Sequence, residues 1–393
     1  MVNLSKVWVV IVAGGQGTRL FPISHTNCPK QFCQLDEKRT FIQATIENFV
    51  KLGIKQNKIV IVTTNENQTR LAIEQTLSRG ILSQNIYEID PKYGYAGAMV
   101  KASMFIRNIE KDAIVINTPS DQYIVSNEEF ETSINIAVTA AMSYKPVIIG
   151  VKINDLNTAI GCGHAIYAES TDAYGCHAVE KFIEKPDISV ANRIMRDGNS
   201  ACNTGIAVWH ANTIYSAAGI GSIVGLATDE LMRRLPDLRI AVGSFEWHDC
   251  GTLKSLYDIS KKTPNHKNAS LGAGSFERND CRRCLLYAAE GMELRVTGGE
   301  DDAVIFTSIN ERPIIVVAKM SESQRIKELA ESFKIHESLL TSDFQIAAKN
   351  NIILRSNVKN LTVGFVGVEN YAVYAHEEKD GTMTAAVSLQ FTK

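Results

Sequence analysis

Apolar runs alternate with helical patterns along the first 150 residues of the chain. The run Val7 to Ala13 is unbroken, rich in β-branched side chains and too short for a core helix, so it predicts a strand buried on both faces. Further strands are predicted at 59–63, 86–89, 113–117 and 147–151, and helices at 41–50, 68–77, 98–108 and 128–142. This alternation predicts an α/β domain with a mostly parallel sheet covered on both faces.

The pattern loosens in residues 161–249, which we interpret as an acceptor-binding half built onto the same sheet. Shorter strands are predicted there, at 178–183, 204–209 and 245–247. The polar stretch 262–280 is rich in glycine and asparagine, which indicates a domain boundary. Beyond it, two sets of short apolar segments flank one helical segment and predict a smaller β-rich domain with an internal echo. The predicted domains are residues 1–265 and 266–393.

Length and charge restrict the function. At 393 residues the chain exceeds one ordinary domain. Basic and acidic residues number 41 and 43, and this balance argues against a general binder of nucleic acid or membrane surfaces, so any anion site must be local. No run approaches the roughly 20 apolar residues of a membrane span, which predicts a cytoplasmic protein without a membrane partner. Eight irregularly spaced cysteines favour reduced thiols over a disulfide framework.

Glycines and cations follow the first predicted strand. Gly14, Gly15 and Gly17 allow the main chain to turn sharply and to approach a ligand, and Arg19 and Lys30 supply positive charge. This combination predicts a phosphate cradle, in which backbone N–H groups and fixed cations neutralise a polyphosphate. The spacing fits neither the Walker pattern nor the dinucleotide fingerprint, so the glycines alone also allow a tight turn with surface cations.

The whole string GGQGTRLFPISHTNCPKQF, residues 14–32, closely resembles the signature of the sugar-1-phosphate nucleotidyltransferases. Its PKQF ending is most similar to the mannose-1-phosphate guanylyltransferase branch. The resemblance implies a Rossmann-like catalytic domain that transfers GMP from GTP to mannose 1-phosphate, giving GDP-mannose and pyrophosphate for polysaccharide synthesis. It implies nucleotide contacts from Ala13, Gly14, Gly15, Gly17, Thr18, Arg19 and Lys30, and it implies that Arg19 and Lys30 are catalytic.

Two aspartates are candidates for the metal that such a transfer needs. Asp121 lies in NTPSDQYI, which resembles the PADH segment of the family, and Asp249 lies in EWHDCGTLKSLYD, which matches its W-x-D-x-G-[ST] pattern. Each acid follows a predicted strand, so we expect both at one edge of the sheet, sharing one Mg²⁺. Either residue would also suit a helix cap or turn.

The acceptor side is predicted from three further segments. FIEKP, residues 182–186, matches the FxEKP pattern of the family, which implies that Glu184 accepts sugar hydroxyls and that Lys185 is a catalytic ligand of the sugar phosphate. We expect no good ion pair between them, since adjacent strand residues face opposite ways. Gly161 in AIGCGHAIY and Asn203 in CNTGIAVW resemble sugar-binding segments of the family, although each segment has a cysteine where the family has an aromatic residue.

The identity of the base and sugar stays open. Residues 91–99, PKYGYAGAM, depart from the GRNTAPAI-like segment of the branch, so Tyr95 and its neighbours replace groups of the nucleotide pocket. The alternatives are another base, another manno-configured sugar 1-phosphate, or a non-catalytic sensor of nucleotide sugars. Retention of Arg19, Lys30 and both aspartates counts against the sensor. Exposed β edges near the end of the chain suggest a homo-oligomer.

Overall fold

A computed structural model describes residues 2–15, 17–36, 38–219, 221–337, 352–356, 361–366, 371–377 and 382–389. Contacts divide the chain into two compact units. The first unit comprises Met1–Gly14 and Ile42–Asp249, and the second comprises Gly15–Phe41 and Cys250–Lys393. The domain division at residue 265 stays a prediction. The boundary between the compact units lies after Asp249, and the segment Gly15–Phe41 also belongs to the second unit.

The first unit alternates strands with helices. Its strands are β1 Val7–Val12, β2 Ile59–Thr63, β3 Ile86–Glu88, β4 Ile114–Pro119, β5 Tyr123–Ile124, β6 Val147–Val151, β7 His164–Thr171, β8 His177–Ile183, β9 Ser200–His210, β10 Arg239–Gly243 and β11 Trp247–His248. The helices are α1 Phe41–Lys51, α2 Glu66–Thr76, α3 Gly94–Ile109, α4 Glu128–Met142, α5 Leu156–Gly161, α6 Ile188–Asp197, α7 Ala211–Ala218 and α8 Thr228–Arg234. The predicted β2, β6 and α4 have the same bounds in the structure.

Nine strands form one sheet in the order β3, β2, β1, β4, β9, β6, β10, β8 and β7. All six residues of β1 are buried, as expected for a central strand with both faces covered. Two helices of this unit begin at capping side chains: Asn65 accepts from Gln68 N at α2, and Asn127 accepts from Phe130 N at α4. The predicted α/β class is therefore confirmed.

The sheet is mixed, so the prediction of a mostly parallel sheet is wrong. Parallel pairs join β1 to β2 and β4, β2 to β3, and β6 to β10. β9 runs antiparallel to β4, β6 and β7, while β8 runs antiparallel to β7 and β10. The reason is that β7 and β8 form a hairpin, which needs no crossover helix, and β9 pairs with this hairpin as well as with the parallel strands.

The second unit contains two five-stranded sheets. One consists of β12 Ala269–Leu271, β14 Leu285–Ala288, β16 Asp302–Ile309, β17 Arg312–Lys319 and β19 Thr362–Val366. The other consists of β13 Ser275–Asn279, β15 Met292–Thr297, β21 Met383–Leu389, β20 Tyr371–Glu377 and β18 Ile352–Ser356. Helices α9 Leu253–Ile259 and α10 Ile326–Glu337 also belong to this unit.

The two predicted sets of β segments share these sheets. β19 of the later set pairs with β17 of the earlier one, and β21 pairs with β15. Buried side chains of both sets, such as Leu294, Phe306, Val373 and Val387, form a common hydrophobic core. The later residues therefore complete the two sheets. No helix among the described residues is long and apolar enough to cross a membrane.

Candidate active site

The ends of the central strands β1 and β4 bring two of the predicted segments together. The strands are parallel neighbours, and Val12 lies opposite Pro119, so Ala13 and Asp121 follow the same edge of the sheet. Ala13 N donates to Val62 O at 2.7 Å. The carbonyl of Gly14 accepts from Thr64 Oγ1 and from Gln68 Nε2, both at 3.2 Å. The main chain is thus held in place where the glycine turn begins.

A short antiparallel ladder relates the two candidate metal ligands. β5 pairs with β11 so that Tyr123 lies opposite His248. Asp249 directly follows His248, and Asp121 lies two residues before Tyr123, so both aspartates lie at the same end of the ladder. Between them, Trp247 Nε1 donates to Gln122 Oε1 at 3.0 Å in a buried hydrogen bond. Two carboxylates in this arrangement suit a hard cation such as Mg²⁺, and the shared metal stays a prediction.

Tyr95 lies near this edge of the first unit. Its hydroxyl donates to Gly205 O at 3.1 Å. Burial raises the pKa of Tyr95, and the nearby charge of Asp121 raises it further. Gly205 has φ +79°, and an added Cβ would lie 2.8 Å from Pro119 Cγ. The structure thus gives the Tyr95 hydroxyl a backbone partner beside a candidate metal ligand.

The signature region, residues 15–41, belongs to the second unit and is folded by contacts within itself. Gly17 has φ +65°, and an added Cβ would lie 2.3 Å from Lys30 Cβ, so only glycine fits. Gln31 Nε2 donates to Gly15 O at 3.0 Å, and Ser24 Oγ donates to Gly17 O. Lys30 is buried at the start of a short 3-10 helix, Lys30–Phe32. The glycine turn and Lys30 therefore pack directly on each other.

Other parts of the second unit support the signature region. Arg19 is exposed on the 3-10 helix Thr18–Leu20, and helix α10 contacts this 3-10 helix. Asn27 Nδ2 donates to Asn310 Oδ1 at 2.6 Å. The phosphate-cradle segment is therefore packed with the β-rich part of the chain, which the short-range sequence pattern did not indicate.

The acceptor region, residues 161–205, gathers three of the predicted segments. An added Cβ on Gly163 would lie 2.7 Å from Glu184 Oε2 and 2.7 Å from Phe182 Cζ, so these segments touch. Asn203 N donates to Gly163 O at 2.7 Å. Gly161 is different, since no atom of the described residues lies within 4 Å of its added Cβ. The β7, β8 and β9 pairings therefore place Gly161, Glu184 and Asn203 in one neighbourhood.

The expectation of a poor ion pair at Glu184 and Lys185 is wrong. Lys185 Nζ lies 3.2 Å from Glu184 Oε1, with side chains 66% and 36% exposed. β8 ends at Ile183, so the alternation of strand side chains no longer applies to these two residues. Lys185 also has φ +43°, in the left-handed region. The assignment of Lys185 to the sugar phosphate remains a prediction, because an exposed pair of this kind exchanges partners at little cost.

Sequence reasoning missed a disulfide in the acceptor region. Cys162 and Cys202 are joined, so the expectation of reduced thiols is wrong for this pair, while the other six cysteines form no disulfide in the structure. His164 Nε2 lies 3.6 Å from Cys162 Sγ and 2.8 Å from Ala159 O. The available signal was that each cysteine directly adjoins a predicted sugar-binding residue, at Gly161 and at Asn203.

Comparison with known proteins identifies the family. The xanthan biosynthesis protein XanB of Xanthomonas campestris pv. campestris (strain B100) is 25% identical over 84% of this chain and 74% of its own length. A mannose-1-phosphate guanylyltransferase of Salmonella montevideo is 25% identical over 83% of this chain and 74% of its own length.

A crystal structure described as mannose-1-phosphate geranyltransferase from Thermus thermophilus has the same fold. The TM-score is 0.69 at 21% identity, over 84% of this chain and 99% of that one. The pattern of the family described as Nucleotidyl transferase matches residues 8–266. The predicted family is thereby confirmed: the chain belongs to the nucleotidyl transferase family.

Proposed function

We propose that the protein transfers GMP from GTP to mannose 1-phosphate, forming GDP-mannose and releasing pyrophosphate. The observation that carries this proposal is the strand register. In this register β1 ends beside β4, and β5 pairs with β11. The first residues of the glycine turn and both aspartates therefore follow one edge of the first unit. Ligands of open α/β sheets bind beyond the carboxyl ends of the strands. The guanylyltransferase relatives support the choice of substrates.

The reaction joins two phosphates, so its chief demand on the protein is charge. An oxygen of the sugar phosphate attacks the α-phosphorus, and the bond to the pyrophosphate oxygen breaks in line. Arg19 and Lys30 would neutralise the triphosphate and the leaving pyrophosphate, and Lys185 would bind the sugar phosphate. Asp121 and Asp249 would hold Mg²⁺, which when bound neutralises phosphate charge.

The sugar is expected to bind in the acceptor region. Glu184 supplies a carboxylate and Asn203 an amide, which are acceptors and donors suited to hydroxyl groups. Gly161 leaves open space in which a sugar ring can approach the main chain. Relatives described as xanthan and alginate biosynthesis proteins support a use of the product in polysaccharide synthesis. A cytoplasmic location and a homo-oligomer remain predictions.

The test is a pyrophosphate-release assay that crosses GTP, UTP, CTP, dTTP and ATP with several sugar 1-phosphates. We expect GTP with mannose 1-phosphate to have the highest kcat/KM. Another preferred pair would keep the reaction class and correct the substrates. Release with no pair, from a folded protein that binds nucleotide, would contradict the proposal and favour a sensor.

Asparagine variants test the metal assignment in the same assay. Asp121→Asn and Asp249→Asn should each lower turnover by roughly 100- to 1000-fold and raise the Mg²⁺ concentration required for the remainder. The double variant should lose little more, since residues that serve one ion act as a unit. Asp112→Asn is the matched control, because Asp112 is an exposed acid of the first unit paired with Lys6 at 3.3 Å. The shared site would be contradicted if the losses of the two single variants multiply in the double variant, or if the Mg²⁺ requirement is unchanged.

A further inference from the structure

The disulfide of the acceptor region connects two segments that lie far apart in sequence. Cys162 follows helix α5 and Cys202 lies on β9, 40 residues later. Their Cα atoms are 6.2 Å apart, within the range that a disulfide can bridge. His164 lies opposite Cys202 in the pairing of β7 with β9. The covalent bond therefore reinforces a strand pairing that already brings the two segments together.

Each sulfur adjoins residues that the proposed function assigns to the sugar. Cys162 lies between Gly161 and Gly163, and Cys202 directly precedes Asn203. The backbone hydrogen bond from Asn203 N to Gly163 O, at 2.7 Å, joins the two residues that directly follow the cysteines. Breaking the sulfur pair therefore removes a covalent link between the segments that carry Gly161 and Asn203.

The two cysteines differ in solvent exposure, and this difference determines which sulfur a thiolate attacks first. Cys162 is partly exposed, whereas Cys202 is buried. A thiolate from solution can reach Cys162 Sγ first, since exchange requires direct approach to a sulfur. His164 is buried against this sulfur, and its Nδ1 has no hydrogen-bond partner among the described residues. Burial lowers the pKa of His164, so the neighbouring imidazole is neutral at pH 7.

We propose that Cys162 and Cys202 form a thiol–disulfide exchange site that sets the affinity of the acceptor region for sugar 1-phosphate. The inference rests on the proposed function, because that function assigns the sugar to this region. The closed form, in which the disulfide is present, holds Gly161 and Asn203 at a fixed spacing, and a pre-organised site loses less conformational freedom when the sugar binds. The closed form is therefore the high-affinity form.

The exchange is balanced with a dithiol reductant. Its thiolate attacks Cys162 Sγ, the bond between the protein sulfurs breaks, and Cys202 leaves as a thiolate that takes up a proton. The second thiol of the reductant then attacks the mixed disulfide and releases Cys162. Two electrons pass to the protein, and the reductant becomes a disulfide.

The test compares the full-length protein before and after treatment with dithiothreitol, using GTP and mannose 1-phosphate. Peptide mapping after alkylation should find the bond between Cys162 and Cys202 before treatment and two alkylated thiols after it. Reduction should raise the KM for mannose 1-phosphate by roughly 3- to 10-fold and leave the KM for GTP unchanged. Re-oxidation with glutathione disulfide should restore the first value.

Serine variants assign the effect to this pair. Cys162→Ser and Cys202→Ser should have the raised KM under both conditions. Cys28 and Cys33 also lie close to each other, with their sulfurs 3.6 Å apart. The response to dithiothreitol must therefore disappear in Cys162→Ser if it is to be assigned to Cys162 and Cys202. Cys176→Ser is the matched control of the same unit and should respond as the unaltered protein does. Cys176 is a buried free thiol whose pKa is raised by burial to about 12.

Several results would overturn the inference. They are free thiols at both positions in the untreated protein, a stoichiometric metal that needs Cys162, His164 and Cys202, and a KM that does not rise on reduction. Failure of the proposed function is recognised separately. In that case no sugar 1-phosphate is turned over in either state, while peptide mapping still reports whether the bond exists.

Discussion

The signature region and the acceptor region each contain two glycines spaced two residues apart, of which the first lies in open space and the second is crowded. An added Cβ on Gly15 or Gly161 would meet nothing within 4 Å in the part of the chain that the structure describes, and neither residue has a positive φ. An added Cβ on Gly17 would overlap Lys30, and one on Gly163 would overlap Phe182 and Glu184. Packing therefore explains Gly17 and Gly163, whereas the space at Gly15 and Gly161 is available to ligands.

The two regions differ in the origin of the crowding. Lys30 lies 13 residues after Gly17 and belongs to the same short motif. The partners of Gly163 lie about twenty residues away in sequence and reach it only through the pairing of β7 with β8. The signature region can therefore be recognised from one uninterrupted string, while the acceptor region requires the sheet to be formed. Variants of the two regions should accordingly affect different substrates.

Between the two regions, the larger effect is expected from the cations of the signature region. Arg19→Ala and Lys30→Met should each lower turnover by roughly 30- to 1000-fold, because each removes about 2–4 kcal/mol of charge-assisted stabilisation as pyrophosphate leaves. Methionine is chosen for Lys30 because that side chain is buried and packs against Gly17. Steady-state kinetics and a urea melt measure the two properties separately.

Lys55→Ala is the control for these cations, since Lys55 is an exposed lysine of the first unit. Near-normal turnover in both Arg19→Ala and Lys30→Met would exclude the phosphate-cradle assignment. A large loss that is matched by unfolding would leave only a structural role for Lys30, so the melt must be unchanged for the assignment to hold.

The acceptor region should respond to loss of Lys185 with a smaller and more selective effect. Lys185→Ala should raise the KM for mannose 1-phosphate by roughly 10- to 100-fold, the range of one hydrogen bond to a charged group, with little change for GTP. Lys181→Ala is the matched control, because Lys181 is exposed and four residues earlier on β8. If the KM for GTP rises instead, the two substrates are assigned to the wrong regions.

The difference between the regions also explains what the sequence could predict. Buried strands such as β2 and β6 were found with their bounds, because unbroken apolar runs need no knowledge of distant partners. The predicted strand 204–209 lies within β9 Ser200–His210, but its antiparallel direction was not predicted, since a strand pattern carries no information about direction. The disulfide and the ion pair at Lys185 depend on where β7, β8 and β9 end and meet, so sequence spacing did not reveal them.

The open glycines offer a direct test of ligand approach. Gly15→Ala should raise the KM for GTP about tenfold, and Gly161→Ala should do the same for mannose 1-phosphate, because a methyl group occupies space reserved for a ligand. Both variants should melt as the unaltered protein does. Gly17→Ala and Gly163→Ala are the contrasts and should lower the free energy of unfolding by about 1–3 kcal/mol. Unchanged kinetics in Gly15→Ala and Gly161→Ala would show that no ligand comes close to either.

The smallest effect is a dependence of stability on pH, to which both regions contribute one histidine. Burial lowers the pKa of His25 in the signature region and of His164 in the acceptor region. Below about pH 6.5 the unfolded chain binds protons that these folded histidines do not bind, so the free energy of unfolding should fall as pH decreases. Each histidine contributes at most about 1.4 kcal/mol per pH unit, until its folded-state pKa is reached.

Urea midpoints at pH 8, 7, 6 and 5.5 measure this fall in the free energy of unfolding, and His25→Gln and His164→Gln should each reduce it. His266→Gln, which replaces an exposed histidine, is the control. A midpoint that stays constant from pH 7 to 5.5 would show that neither region resists protonation. A fall abolished by one variant alone would assign the whole effect to that region.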